Sequence, residues 1–257
     1  MSTDDSFSPS KLGTKEHWDN VYESELSTFK ETGDEGEIWF GEEIVEKMCD
    51  WVVEHISTSQ KPRILDVGSG NGNLLFSLSA AGYDNASLVG IDYSMDAVHL
   101  AQSIASRRSI EGMKFACVDF LQDGSTLPAP TSSESREIHE SGKPSNSSRG
   151  KWDLVLDKGT YDAIALSERK DGDTPPLRVY ASRIGELVLP GGFFMITSCN
   201  FTEEELLSAF QRPEYGLLFH SRIEHRTLTF GGVQGSTYTT VAFQKSGDAR
   251  SESKTVN

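Results

Sequence analysis

Short apolar runs alternate with stretches of helical spacing through the middle of the chain. Residues 63–67, RILDV, form the first apolar run. Residues 72–82, GNLLFSLSAAG, carry apolar positions at helical spacing and end in Gly82, a residue suited to a helix C-cap. Residues 87–92, SLVGID, predict a second strand, and residues 94–108 an amphipathic helix. In that helix Ser94 stands at the N-cap, Asp96 in the first turn, and Arg107 and Arg108 in the last. Residues 113–119, 152–157 and 191–199 predict a third, fourth and fifth strand. Residues 176–188 predict a helix with Pro176 near its start. Strands alternating with helices at this spacing imply βαβ units and a mostly parallel sheet. The last part differs. Residues 215–228 and 236–245, joined by the glycine-rich TFGGVQG, predict a closing antiparallel hairpin.

The flanks have another texture. Residues 1–9 and 246–257 are polar and read as frayed tails. Residues 124–150 are rich in Ser, Pro and Gly without apolar period, and predict a flexible insertion within one domain, 10–245. Residues 10–60 precede the alternation as a helical lid or cap. An apolar share of 36% over 257 residues supports a real core. The net charge of -15 argues against nucleic acid as partner, because phosphate binding calls for a basic footprint. It suits a basic protein surface, or serves only solubility. Cys49, Cys117 and Cys199 are widely spaced and odd in number, so no disulfide framework or metal site is expected. The first ten residues lack the apolar core of a signal peptide, and no apolar run approaches a membrane span. A cytoplasmic monomer is expected.

The chemistry concentrates at strand ends. LDVGSGNGNLL, 65–75, stands between the first strand and first helix. Gly68, Gly70 and Gly72 permit a tight turn and close approach of backbone to a ligand, with Ser69 and Asn71 between them. The spacing is Gly-x-Gly-x-Gly, whereas the dinucleotide fingerprint is Gly-x-Gly-x-x-Gly. With no evident Tyr-x-x-x-Lys pair, that counts against a nicotinamide oxidoreductase. Asp66 ends the first strand. Asp92, followed by Tyr93, ends the second, where a carboxylate can accept hydrogen bonds from ribose hydroxyls. Asp119, followed by Phe120, ends the third, within reach of an adenine amine. Each acid alone could be a cap or a solvent contact. Three in succession behind a glycine loop describe a nucleoside pocket, and argue against a fold retained only for binding.

With these residues in place, the stretch from about 63 to 245 resembles the class I, seven-strand S-adenosylmethionine-dependent methyltransferases. The resemblance implies a Rossmann-like α/β fold, with a seven-stranded, mostly parallel sheet, a terminal antiparallel hairpin and helices on both faces. It implies that the loop from Asp66 to Gly72 passes the methionine part of S-adenosylmethionine, that Asp92 holds the ribose, and that Asp119 approaches the adenine. The end of the fourth strand narrows the choice. DKGTYDAI, from Asp157, is similar to an Asp-Lys-Gly-Thr element of a smaller group. SKLGTKEHWDNVYESEL (10–26), EIWFGEE (37–43), ITSCNFTEEEL (196–206) and FGGVQGST (230–237) are similar to the same group. It comprises the eukaryotic lysine methyltransferases that modify translation elongation factor 1-alpha. The insertion at 124–150 departs from compact members.

Roles follow from that resemblance. A lysine with pKa about 10.4 must lose a proton before it attacks a sulfonium methyl, and desolvation beside a cation favours the loss. Asp157 is the candidate for contact with the amine, or for shaping the site through its backbone. Tyr161 supplies a wall or a hydrogen bond. Lys158 either neutralises Asp157 or touches substrate, or it points into solvent as an ordinary surface lysine; the last reading is preferred. From Glu16 to Glu54 there are thirteen acidic residues and two Lys/Arg. Trp39 and Phe40 lie in this segment, either as a lid over cofactor and substrate or as aromatics packed on the sheet. Asn200 and Phe201 line a substrate channel, or Asn200 caps a helix starting near Thr202. The glycine loop at 231–235 is either a turn or a substrate contact.

Overall fold

The computed structural model describes residues 8–122, 124–130, 150–168, 174–230 and 233–247. Most of the two expected tails and of the expected insertion lie outside the described residues, as do residues 231–232 of the glycine loop. The strands are β1 (Ile64–Val67), β2 (Leu88–Asp92), β3 (Lys114–Cys117), β4 (Trp152–Lys158), β5 (Val188–Ser198), β6 (Leu217–Ile223), β7 (Thr227–Phe230), β8 (Val233–Ser236) and β9 (Thr239–Lys245). Seven of them form one sheet in the order β3-β2-β1-β4-β5-β9-β6. β1 pairs in parallel with β2 and β4, and β5 in parallel with β4. β9 runs antiparallel to both β5 and β6. The closing hairpin is therefore present, but its connection folds into a second ladder, β7 with β8. The strand order reverses between β1 and β4, where a crevice opens at the carboxyl edge of such sheets.

Helices cover both faces. They are α1 (Lys15–Thr32), α2 (Glu42–His55), α3 (Asn73–Ala80), α4 (Met95–Arg107), α5 (Thr160–Ala165), α6 (Pro176–Leu187) and α7 (Glu203–Phe210). α2 buries Ile44, Val45, Met48, Trp51 and Val52, one stripe at helical period. α3 closes as expected: Gly82 takes a left-handed φ of 94°, its N–H donates to Ser79 O, and Tyr83 N–H donates to Leu78 O. Ser94 occupies the N-cap position of α4, but its side chain does not cap the helix. α7 is capped by Thr202 and Glu205 reciprocally, so Asn200 is not its cap.

Alternation along the strands divides the core in two. Ile64, Leu154 and Leu156 face the core built with α1 to α4. Leu65, Val67 and Val155 face the core built with α5 to α7. Burial on both faces explains why the strands read as continuous apolar runs. The same parity governs the charged end of β4. Asp157 follows Val155 toward α5 and α6, where Tyr180 meets it. Lys158 follows Leu154 and Leu156 toward the N-terminal helices, where it meets Trp39. Two adjacent charges thus serve opposite faces of the sheet.

Candidate active site

A cavity of about 270 Å³ lies at the carboxyl edge of the sheet. Its floor is the loop after β1. Gly68 N–H and Ser69 N–H both donate to Ile91 O, at 2.8 and 2.9 Å, which ties this loop to the end of β2. Gly68 and Gly70 have φ of +70° and +53°. A Cβ on Gly68 would stand 2.0 Å from Thr160 Oγ1, and one on Gly70 would stand 2.5 Å from the Tyr22 hydroxyl. Only glycine satisfies both the conformation and the crowding. Ser69 and Asn71 line the cavity, whereas Gly72 serves as the N-cap of α3 and does not line it.

Asp92 lines the cavity and is 6% exposed. Its Oδ2 accepts Gly70 N–H at 3.0 Å and its Oδ1 accepts Ser94 N–H at 2.9 Å. Burial lifts its carboxyl from 3.8 to about 6, against these backbone donors and Lys15. Each carboxylate oxygen keeps capacity for a further donor. Tyr93 and Phe120 flank it on the cavity wall. Asp119 also lines the cavity, but two residues beyond the end of β3. It is exposed, and its Oδ1 accepts Leu121 N–H at 2.9 Å, a local turn that carries it off the strand.

The roof comes from the N-terminal segment. Trp39 lines the cavity and packs edge-on against Trp18, with ring centroids 4.9 Å apart. Tyr22 lies one helical turn beyond Trp18 and is buried over Gly70. Trp39 packs on Trp18 of α1, and both rings line the cavity. The roof is pinned to the floor: Asn71 Nδ2 donates to Glu35 O at 3.0 Å and to Glu37 O at 3.3 Å. Arg108 forms a two-pronged ion pair with Glu35. Phe40, at φ +69°, sets its ring against Gly159. Most acids of this segment are exposed to solvent.

Lys158 is not a surface lysine. Its Nζ donates to Trp39 O at 2.9 Å and lies 5.8 Å from the centre of the Phe40 ring. Burial pulls its ammonium below the usual lysine value, while Asp66 and Asp157 oppose that shift. Asp66 is itself buried beneath the floor and does not line the cavity. Burial raises its carboxyl to about 7, Lys158 draws it down, and Asp92 adds to the rise. Asp66 and Lys158 therefore interact on one face of the sheet, as their parity requires.

Asp157 does not stand where it could contact an amine in the cavity, and Tyr161 supplies no part of the cavity wall. The Asp157 carboxylate is fully buried and does not line the cavity. Its Oδ1 accepts Thr160 N–H at 2.8 Å, its Oδ2 accepts Tyr161 N–H at 3.0 Å, and the Tyr180 hydroxyl donates to Oδ2. It caps the first turn of α5 and so shapes the Lys158–Thr160 corner through the backbone. Tyr161 packs in the aromatic core, 4.9 Å from Phe201 and 5.0 Å from Phe210. Phe201 supports this core and does not line the cavity, whereas Asn200 does. Sequence reasoning passed over Trp18, Tyr22, Thr160 and Asp162, all cavity residues. The four-residue spacing of Trp18 and Tyr22 was the available signal for the first two. Thr160 Oγ1 donates to Val67 O at 2.7 Å and so locks α5 to the end of β1.

A family model described as a methyltransferase domain matches residues 58–232. With this sheet order and a glycine loop facing Asp92, the fold and site define a class I methyltransferase. The protein-lysine N-methyltransferase efm4 of Schizosaccharomyces pombe is 40% identical over 247 residues, covering 91% of this chain and 94% of that one. EEF1A lysine methyltransferase 2 of Homo sapiens is 37% identical over 242 residues, covering 94% and 90%. The chain belongs to the family of these two proteins. Among solved structures, the [4+2]-cyclase SpnF superposes with a TM-score of 0.59 at 15% identity, over 93% of this chain and 97% of that one. That likeness concerns the fold, which hosts more than one chemistry.

Proposed function

We propose that this chain transfers a methyl group from S-adenosylmethionine to a lysine side chain of translation elongation factor 1-alpha, in the cytoplasm. The observation that carries the reading is a single cavity that runs from Asp92 and the glycine loop to a second end beside Phe40. At one end stand Asp92, Phe120 and the glycine loop, and at the other Phe40, Gly159, Asp162 and Asn200. The names of the full-length relatives support the choice of lysine and of elongation factor.

The residues suit the methyl donor. Gly68 and Gly70 line the cavity, and a Cβ on either would collide with Thr160 or Tyr22. Asp92 presents acceptors for ribose hydroxyls. Trp39 lines the cavity with a buried Nε1 that has no acceptor among the described residues, so a ligand oxygen can complete it. Bound there, S-adenosylmethionine supplies an electrophilic methyl carbon on a positively charged sulfur. The roof of Trp18, Tyr22 and Trp39 excludes water from the reaction. A target lysine entering beside Phe40 is desolvated, which favours release of one proton to water. With S-adenosylmethionine bound, the free amine pair would form the new carbon–nitrogen bond as the carbon–sulfur bond breaks toward sulfur. Asp157 holds the corner that positions Gly159 and Thr160, and orientation is a large share of the acceleration available.

The test is incubation with methyl-labelled S-adenosylmethionine and purified elongation factor 1-alpha, followed by peptide mapping. Label in one lysine-containing peptide, lost with Asp92→Ala, is expected. Cofactor binding without any label in the factor would reject the substrate. Binding of NAD in place of S-adenosylmethionine would reject the reaction.

A further inference from the structure

Asp162 is a buried carboxylate on the cavity wall that nucleoside binding does not use. It sits in the first turn of α5 and is 5% exposed. Three donors converge on it from the end of β5. Its Oδ1 accepts the Ser198 hydroxyl at 2.6 Å and Asn200 N–H at 3.0 Å. Its Oδ2 accepts Cys199 N–H at 3.3 Å, the longest of the three. The carboxylate is therefore fixed in place, while Oδ2 retains capacity for a stronger donor.

Its location gives that capacity a meaning. Along the sheet edge the cavity passes from the end of β3 to β2, β1, β4 and β5. Asp92 would hold the ribose at β2 and the glycine loop lies at β1, so S-adenosylmethionine bound there would leave the β4 and β5 end of the cavity for the incoming amine. Asp162 stands there, beside Gly159, Cys199 and Asn200. Lys158, the cation closest in sequence, also lines the cavity, and its Nζ donates to Trp39 O. Asp157 is spent on α5 and Tyr180.

We propose that Asp162 accepts a hydrogen bond from the nitrogen of the incoming amine and aims its lone pair at the methyl carbon. This deepens the methyltransferase reading above and rests on it. Positive charge grows on that nitrogen as the carbon–nitrogen bond forms. A fixed carboxylate beside it is then more favourable in the transition state than in the ground state. Burial raises the Asp162 carboxyl, and the Ser198, Asn200 and Cys199 donors hold it down.

The experiment uses two analogues of S-adenosylhomocysteine whose sulfur is replaced by a nitrogen carrying either a butyl or a 4-aminobutyl chain. Calorimetry with the full chain should show the aminobutyl analogue binding at least tenfold more tightly. Asp162→Asn should reduce that preference to within twofold while the butyl analogue binds as before. Ser198→Ala, which keeps the carboxylate, should retain the preference. A residue that only ties α5 to β5 would weaken both analogues alike and leave their ratio intact, and that result would overturn the proposal. So would a wild-type chain with no preference, whatever the stability of the variants. If neither analogue binds the wild-type chain, the methyl-donor reading itself fails, and this proposal with it.

Discussion

Replacing Gly68 with alanine tests how the floor of the cavity is built. The backbone there has φ +70°, and the new Cβ would lie 2.0 Å from Thr160 Oγ1 and 3.0 Å from Thr160 Cβ. The left-handed conformation costs a non-glycine residue about 1–2 kcal/mol. Thr160 must also rotate, breaking the 2.7 Å bond from its hydroxyl to Val67 O, a loss of about 0.5–1.5 kcal/mol. The sum centres near ~2.5 kcal/mol, which for a chain of this size lowers Tm by roughly 5–10 °C. Urea denaturation of Gly68→Ala, Thr160→Ala and the double variant measures the parts separately. Thr160→Ala alone removes the hydroxyl bond. In the double variant that bond is lost only once and the worst collision is gone, so the two costs should fall short of additive by ~1 kcal/mol. Additive costs, or a Gly68→Ala loss well below ~1 kcal/mol, would show that Thr160 does not press on the loop and would refute the reasoning.

The remaining predictions concern charge and closure. Asp92 holds its carboxyl near 6 through burial, so S-adenosylmethionine should bind about tenfold more weakly at pH 5 than at pH 7.5; calorimetry should find this slope absent in Asp92→Asn. Because that value is raised from 3.8, the same carboxyl stabilises the ligand-free fold below about pH 4 and loses this contribution as pH rises through 6. Urea titrations of wild type against Asp92→Asn across that window should show the difference. Asp157→Asn cannot accept from Thr160, Tyr161 and Tyr180 together, and should cost roughly 2–3 kcal/mol in urea unfolding. Lys158→Met removes the bond to Trp39 O; it should speed proteolysis within residues 33–41 and weaken S-adenosylmethionine about tenfold. Deleting residues 131–149 should leave cofactor affinity within twofold by the same calorimetry.

The sheet was legible because its strands are short apolar runs with helical spacing between them, and burial on both faces leaves few other readings. Asp92 and the glycine loop were legible because a ligand at a strand end demands particular residue types. The aromatic cover of the cavity was half legible, since Trp39 and Phe40 stand out against an acidic background while nothing in the sequence singles out Trp18 and Tyr22. Lys158 was misread because adjacent charges suggest solvent. Counting parity from Leu154 and Leu156 already sends it to the N-terminal face, but nothing in the sequence says what waits there. Asp157 stands out as the abrupt end of an apolar strand, while Asp162, five residues on, carries no such signal in the sequence. Only the folded chain brings Ser198, Cys199 and Asn200 around Asp162, from a strand more than thirty residues away.

The aromatic roof has a practical consequence for selective inhibition. The floor and the nucleoside end belong to the segment matched by the methyltransferase family model, residues 58–232. Trp18, Tyr22 and Trp39 lie outside it, on a segment that reaches over the cavity from the N-terminal side. An adenosine analogue that stops at Asp92 engages chemistry common to the class. One extended to stack on Trp18 and to offer an acceptor to Trp39 Nε1 would draw on surface that the class-wide core does not supply. Selectivity among methyltransferases would then come from the cover of the pocket, with the shared base providing affinity.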